Sequence, residues 1–174
     1  MVRRFFAGLT EFAFHTRLGV ADPPLVDYIT ELLARFVRSD ALYPVRSTRG
    51  VRLVQVADML VEAQHRQGPA RRQVHRHIGD FTLFWTGVYP EVADALRRGS
   101  KDALIDYPQQ GKRAYYIAST IPVEETAAKL QEATETEVLA RLSEQFDLCV
   151  YGLGEVRKQW EEQAGEGEAP LLLG

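Results

Sequence analysis

The segment His65-Arg66-Gln67-Gly68-Pro69-Ala70-Arg71-Arg72-Gln73-Val74-His75-Arg76-His77 holds three of the four histidines and four arginines. No acid lies between Glu62 and Asp80. Imidazole and guanidinium at that density suit three roles: metal ligation, anion binding, or the edge of a packed core.

Metal ligation would use Glu62, His65 and His75. Glu62-Ala63-Gln64-His65 is an E-x-x-H, a spacing that puts carboxylate and imidazole on one helical face. A turn at Gly68-Pro69 would then have to fold His75 back toward them. Carboxylate-bridged di-iron bundles need two such motifs and two further glutamates. Only one E-x-x-H is present. His75 and His77 stand about 200° apart on a helix and cannot share an ion from there. A mononuclear site, or haem ligation by His77 or His15, is what remains of this reading. The sequence argues for no metal and no cofactor.

Anion binding would use Arg71, Arg72 and Arg76 near the start of the helix that follows Gly68-Pro69. There the helix dipole and free amides add to the side chains. Lys112-Arg113 with Tyr115-Tyr116 is a smaller basic-aromatic pair elsewhere. A net charge of −3 and the lack of a groove-reading motif argue against nucleic acid. The structural role is the leading one: His77 at a core edge, and arginines either solvated or paired with the acidic half of the chain.

A second concentration follows at once, in His77-Ile78-Gly79-Asp80-Phe81-Thr82-Leu83-Phe84-Trp85-Thr86-Gly87-Val88-Tyr89-Pro90. Asp80 lies one helical turn from His77 and is placed to orient its imidazole. Phe81, Phe84, Trp85 and Tyr89 are suited to line a ligand pocket with His77–Asp80 as its polar group. Were the chain an enzyme, His77 and Asp80 would be the catalytic candidates, with His77 as general base. The competing reading is core packing, with Gly79 and Gly87 admitting neighbouring helices.

The familiar catalytic signatures are missing. There is no Walker P-loop, no G-x-G-x-x-G after a strand, no H-E-x-x-H and no G-x-S-x-G. Cys149 falls on an apolar seam and reads as a buried structural thiol.

Helices must position these groups, because strand signals are weak. Phe5, Leu9 and Phe12 predict a first helix that stops near Gly19. Asp22-Pro23-Pro24 is a strong start signal. Behind it Leu25, Val26, Ile29, Leu32, Leu33, Phe36 and Val37 form a face wide enough for a central helix. Val51–Val56 alternates like a strand but runs into helical sequence, so a third helix is expected from about Leu53 to Arg66, broken by Gly68-Pro69. A fourth is expected from Ala70 to Val88, with Val74, Ile78, Phe81, Trp85 and Val88 on one narrow stripe. Glu91–Arg98 and Gln109–Ser119 follow, with Ser100 as a cap and Pro108 as an interruption. Thr134-Glu135-Thr136-Glu137 has capping-box spacing. It introduces an a/d seam of Leu139, Leu142, Phe146, Cys149, Leu153, Val156 and Trp160. Packing inside a bundle is favoured for that seam over a dimeric coiled coil.

The chain has 174 residues, 45% apolar and 26% charged, which suits one ordinary globular domain. One cysteine excludes an intramolecular disulfide framework and any Cys-based metal cage within one chain. The charge is polarised, with a balance of +5 over residues 1–79 and −8 over residues 80–174. Arginine outnumbers lysine 17 to 4. The first residues imitate a signal peptide only until Glu11, and no run approaches transmembrane length, so a cytoplasmic protein is expected.

The expected fold is all-α, a single irregular bundle of about six to eight helices. It should occupy residues 1–164, with a flexible Gly/Glu tail over 165–174 ending in Leu-Leu-Leu. The expected function is action through protein–protein contacts, as an adaptor or assembly component, with self-association. The alternative is a small-molecule, metal or haem-binding bundle, or an enzyme, centred on His77, Asp80 and Trp85.

Overall fold

A computed structural model describes residues 1–37, 46–47, 49–123 and 129–165, with side chains from residue 134 onward in the last stretch. The tail beyond Gly165 lies outside the described residues. The described residues form an all-α bundle: α1 (Val2–Glu11), α2 (Pro23–Phe36), α3 (Val56–Gln64), α4 (Gly68–Val88), α5 (Pro90–Arg97), α6 (Tyr107–Thr120), α7 (Lys129–Glu144) and α8 (Phe146–Gly165). No helix is long and apolar enough to cross a membrane among the described residues.

The centre of the bundle is α4 rather than α2. It packs most extensively on α6, then on α8 and α3, and touches α2 and α5. From His77 to Trp85 every residue is buried, so the narrow stripe expected there is instead a helix covered on all sides. Covering a helix all round requires places without side chains. A Cβ added at Gly79 would lie 2.5 Å from Cε1 of Tyr115 on α6, and one at Gly87 would lie 2.7 Å from Cβ of Leu153 on α8. The expectation that Gly79 and Gly87 admit neighbouring helices is met by those two contacts.

The first helix does stop at Gly19, whose φ of 64° is left-handed. Its last part differs from expectation. Residues Phe12–Arg17 continue α1 as a π-helical turn. The wider turn changes which side chains face inward, so Ala13 and Phe14 are buried and Phe12 is turned outward, 38% exposed. Phe14 then reaches α8 at Gly152, where an added Cβ would lie 2.3 Å from its ring.

Asp22 caps α2 by accepting from the Leu25 amide at 3.3 Å, and it also pairs with Arg141 on α7 at 2.7 Å. The third helix begins at Val56, three residues later than expected. Asp102, from the α5–α6 connection, accepts from the amides of Val56 (2.9 Å) and Ala57 (2.8 Å), fixing the start there. Pro108 does not interrupt a helix. It sits in the first turn of α6, where Asp106 caps the Gln109 amide at 3.0 Å.

Thr134 is inside α7, which begins at Lys129, so the capping-box spacing does not mark a helix start. The seam is split between α7 and α8 at Gln145. Every seam residue from Leu139 to Trp160 is buried against this chain's own helices, as the bundle reading requires.

Candidate functional site

Asp80 is 1% exposed on α4, and its carboxylate joins three helices. Tyr28 Oη on α2 and Tyr115 Oη on α6 each donate to Oδ1 at 2.7 Å, and Arg35 Nη2 on α2 donates to Oδ2 at 2.7 Å. Burial pushes both phenols well above their ordinary pKa, and the Asp80 charge raises them further. They are therefore fixed donors over the whole neutral range. The sequence points to neither Tyr28 nor Arg35, and it offers Tyr115 only as part of a basic-aromatic pair with Lys112-Arg113, not as a partner of Asp80.

Asp80 spends both oxygens on these partners, and none of these bonds is to His77. His77 packs between the rings of Phe36 and Phe81, with centroids at 6.2 and 6.0 Å, and its buried Nε2 has no partner among the described residues. Burial lowers its pKa to about 4, against the opposing pull of Asp80. A general base needs reach to a substrate as well as a free lone pair, and His77 faces packed aromatic side chains. Phe81, Phe84 and Trp85 are likewise core, at 0%, 3% and 5% exposure, and Tyr89 is half-buried beside Arg157. The residues expected to line a pocket instead form a chain of edge-to-face and tilted ring contacts.

The metal candidates do not converge. Glu62 pairs with Arg66 at 3.0 Å, His65 is exposed at the end of α3, and His75 belongs to α4. Among the described residues no three His, Cys, Asp or Glu side chains are placed to hold an ion. The arginines divide. Arg76 donates to Glu135 at 2.7 Å, and Arg72 donates to Thr136 at 3.1 Å and lies 3.9 Å from Glu135. This is the pairing with the acidic half anticipated for a structural role. Arg71 has no such partner among the described residues and lines a small cleft between α3, α4 and α6.

A larger cleft lies elsewhere, about 680 Å³ between the α1 end and the start of α2. One wall is Gly8, Glu11, Phe12, His15 and Thr16, carried by the last turn of α1 and the π-helical turn. The other is Val20 to Pro23 with Val26 and Asp27. The outward turn of Phe12 and the left-handed Gly19 open this space. Of its three carboxylates, Asp22 is held by the Leu25 amide and Arg141, while Glu11 and Asp27 form no ion pair with a described residue. No Lys or Arg contributes to the lining. His15, weighed as a haem ligand, is the one residue of this lining to which the sequence assigns chemistry. The regular spacing of Phe12 with Phe5 and Leu9 concealed the rest, since it predicts an inward Phe12.

Against protein-family models, curated proteins and solved structures, the chain has no match in any of the three comparisons.

Proposed function

We propose that this protein is a ligand-binding helical bundle whose main site is the cleft between α1, the π-helical turn and α2. The ligand class is a small organic cation with an apolar body. The observation that carries the reading is the cleft itself. Its volume of about 680 Å³ lies within the usual range for small-molecule sites. Its apolar residues are Phe12, Val20, Pro23 and Val26, and Glu11 and Asp27 add negative charge, with Arg3 near Asp27 and Arg17 over the Phe12 ring both outside the lining. A π-helical turn in the wall adds support, because such turns are frequent at functional sites.

This takes up the small-molecule alternative rather than the leading expectation of protein–protein contacts, and it moves the site away from His77, Asp80 and Trp85. The expectation of self-association rested partly on the α7–α8 seam. With that seam filled by the chain's own helices, binding of a small ligand has the better support.

The test is thermal unfolding and calorimetric titration with hexylamine, hexanol and hexanoate at matched ionic strength. Hexylamine should raise the midpoint saturably, and the neutral and anionic analogues should not. Glu11→Gln and Asp27→Asn, both exposed, should weaken the amine effect without altering the unliganded midpoint. Equal effects of all three probes, or none, would overturn the assignment.

A further inference from the structure

A smaller cleft, about 190 Å³, is built from three helices at helical spacing. α3 contributes Leu60, Ala63 and Gln64, α4 contributes Arg71 and His75, and α6 contributes Gln110, Arg113, Ala114 and Ile117. Arg71 and His75 are four residues apart, as one helical face requires, and Gln110 and Arg113 are three apart. We propose that this cleft is a binding site for a phosphate group, gripped by Arg71 and Arg113 at its exposed rim and by His75 at its floor.

Three observations support the assignment. Arg71 and Arg113 form no ion pair with a described residue, although their neighbours Arg66, Arg72 and Arg76 all have carboxylate partners. Among the described residues the charge at this cleft is thus uncompensated, in a chain whose net charge is negative. His75 is 5% exposed, yet neither of its ring nitrogens has a hydrogen-bond partner among the described residues. Buried polar groups are normally satisfied, and two orphan nitrogens on one ring facing a cavity point to a partner from outside. Burial first, and then the charges of Arg71 and Arg113, lower the His75 pKa to about 4, so at neutral pH an uncharged imidazole lines the cleft with the two arginines. An anion there would relieve the repulsion and accept from the ring.

The donor arrangement favours phosphate over carboxylate. A carboxylate is planar and suits a single bidentate fork. Here the donors come from three helices: Arg71 and His75 from α4, Arg113 and Gln110 from α6, and Gln64 from α3. That convergence matches the tetrahedral oxygens of a phosphate. The same group could come as free phosphate or as the monoester of a larger molecule, since the rim is open.

The experiment is calorimetric titration of the full chain with inorganic phosphate, phenyl phosphate and acetate, with ionic strength held constant by sodium chloride. Phosphate should bind saturably at one site per chain, and acetate should not. Tighter binding of phenyl phosphate would identify a monoester as the source, and equal or weaker binding would identify the free ion. Arg71→Gln and Arg113→Gln are surface changes that leave folding intact. Each should cost about tenfold or more in affinity, the scale of a lost charge-assisted contact. Arg98→Gln, at an exposed arginine outside the cleft, should cost nothing. Absence of saturable phosphate binding, retention of it in the Arg71 and Arg113 variants, or equal binding of acetate would overturn the proposal.

Discussion

Tyr115 donates its hydroxyl to Asp80 Oδ1 across 2.7 Å in the buried contact between α4 and α6. Tyr28 donates to the same oxygen from the other side, and Arg35 takes Oδ2. One carboxylate thereby satisfies three groups on two neighbouring helices. Removing a buried charged acceptor strands its partners, so Asp80→Ala should cost about 3–5 kcal/mol. Tyr28→Phe and Tyr115→Phe should each cost about 1–3 kcal/mol. The double change leaves Oδ1 with neither donor, so its cost should exceed the sum of the singles. Urea denaturation of the four variants reads this directly. Unchanged midpoints in Asp80→Ala would show that the carboxylate does not hold these helices together.

The glycines of α4 and α8 give a prediction of opposite signs. Gly79 faces the Tyr115 ring, and that ring is tethered by its hydroxyl to Asp80, so it cannot swing away freely. Gly79→Ala should destabilise by about 1–3 kcal/mol through overpacking. Gly152→Ala should do the same, because its Cβ would lie 2.3 Å from Phe14 Cζ. Gly154 is two residues along α8, and an added Cβ there meets only the Gly87 carbonyl at 3.9 Å. Gly154→Ala should stabilise by up to about 1 kcal/mol, the helix propensity difference. Thermal midpoints that move in the same direction for all three would contradict the packing described.

These contrasts mark what is legible in the sequence. Asp22-Pro23-Pro24, Gly19 and the seam from Leu139 to Trp160 encode their structure locally, and each lies where its spacing predicts. Asp106-Tyr107-Pro108 carries a similar start signal for α6, which the reading of Pro108 as a breaker overlooked. The partners of Asp80 are 52, 45 and 35 residues away in sequence, and no local pattern pairs them. Asp102 caps α3 across 46 residues and is equally invisible. The His/Arg segment was visible as a feature, but its division was not. Glu135 on α7 takes Arg72 and Arg76, which leaves Arg71 to face Arg113 on α6. Both clefts depend on such long-range choices, and on a π-helical turn that shifts Phe12 out of its apparent register.

Acid should destabilise the protein in a window set by two imidazoles. His75 and His77 are buried, and each has its pKa lowered to about 4. For His75 the cause is burial, then Arg71 and Arg113. For His77 it is burial, opposed by Asp80 and assisted by Arg35 and Arg76. In the unfolded chain an imidazole takes its proton near pH 6.5. Between about pH 6.5 and 4 the unfolded state therefore binds more protons than the folded one, so stability falls as pH falls. The stabilisation is complete above the unfolded pKa and is lost on the way down to the folded value. Each group should cost roughly 2 kcal/mol by pH 5, before most carboxylates titrate. Urea midpoints measured from pH 7.5 to 5 should show this decline in the wild type. His75→Gln and His77→Gln should each flatten it by about half, whatever their effect on stability at pH 7.5. A wild-type profile that is flat across the window would show that these imidazoles are not held neutral by the fold.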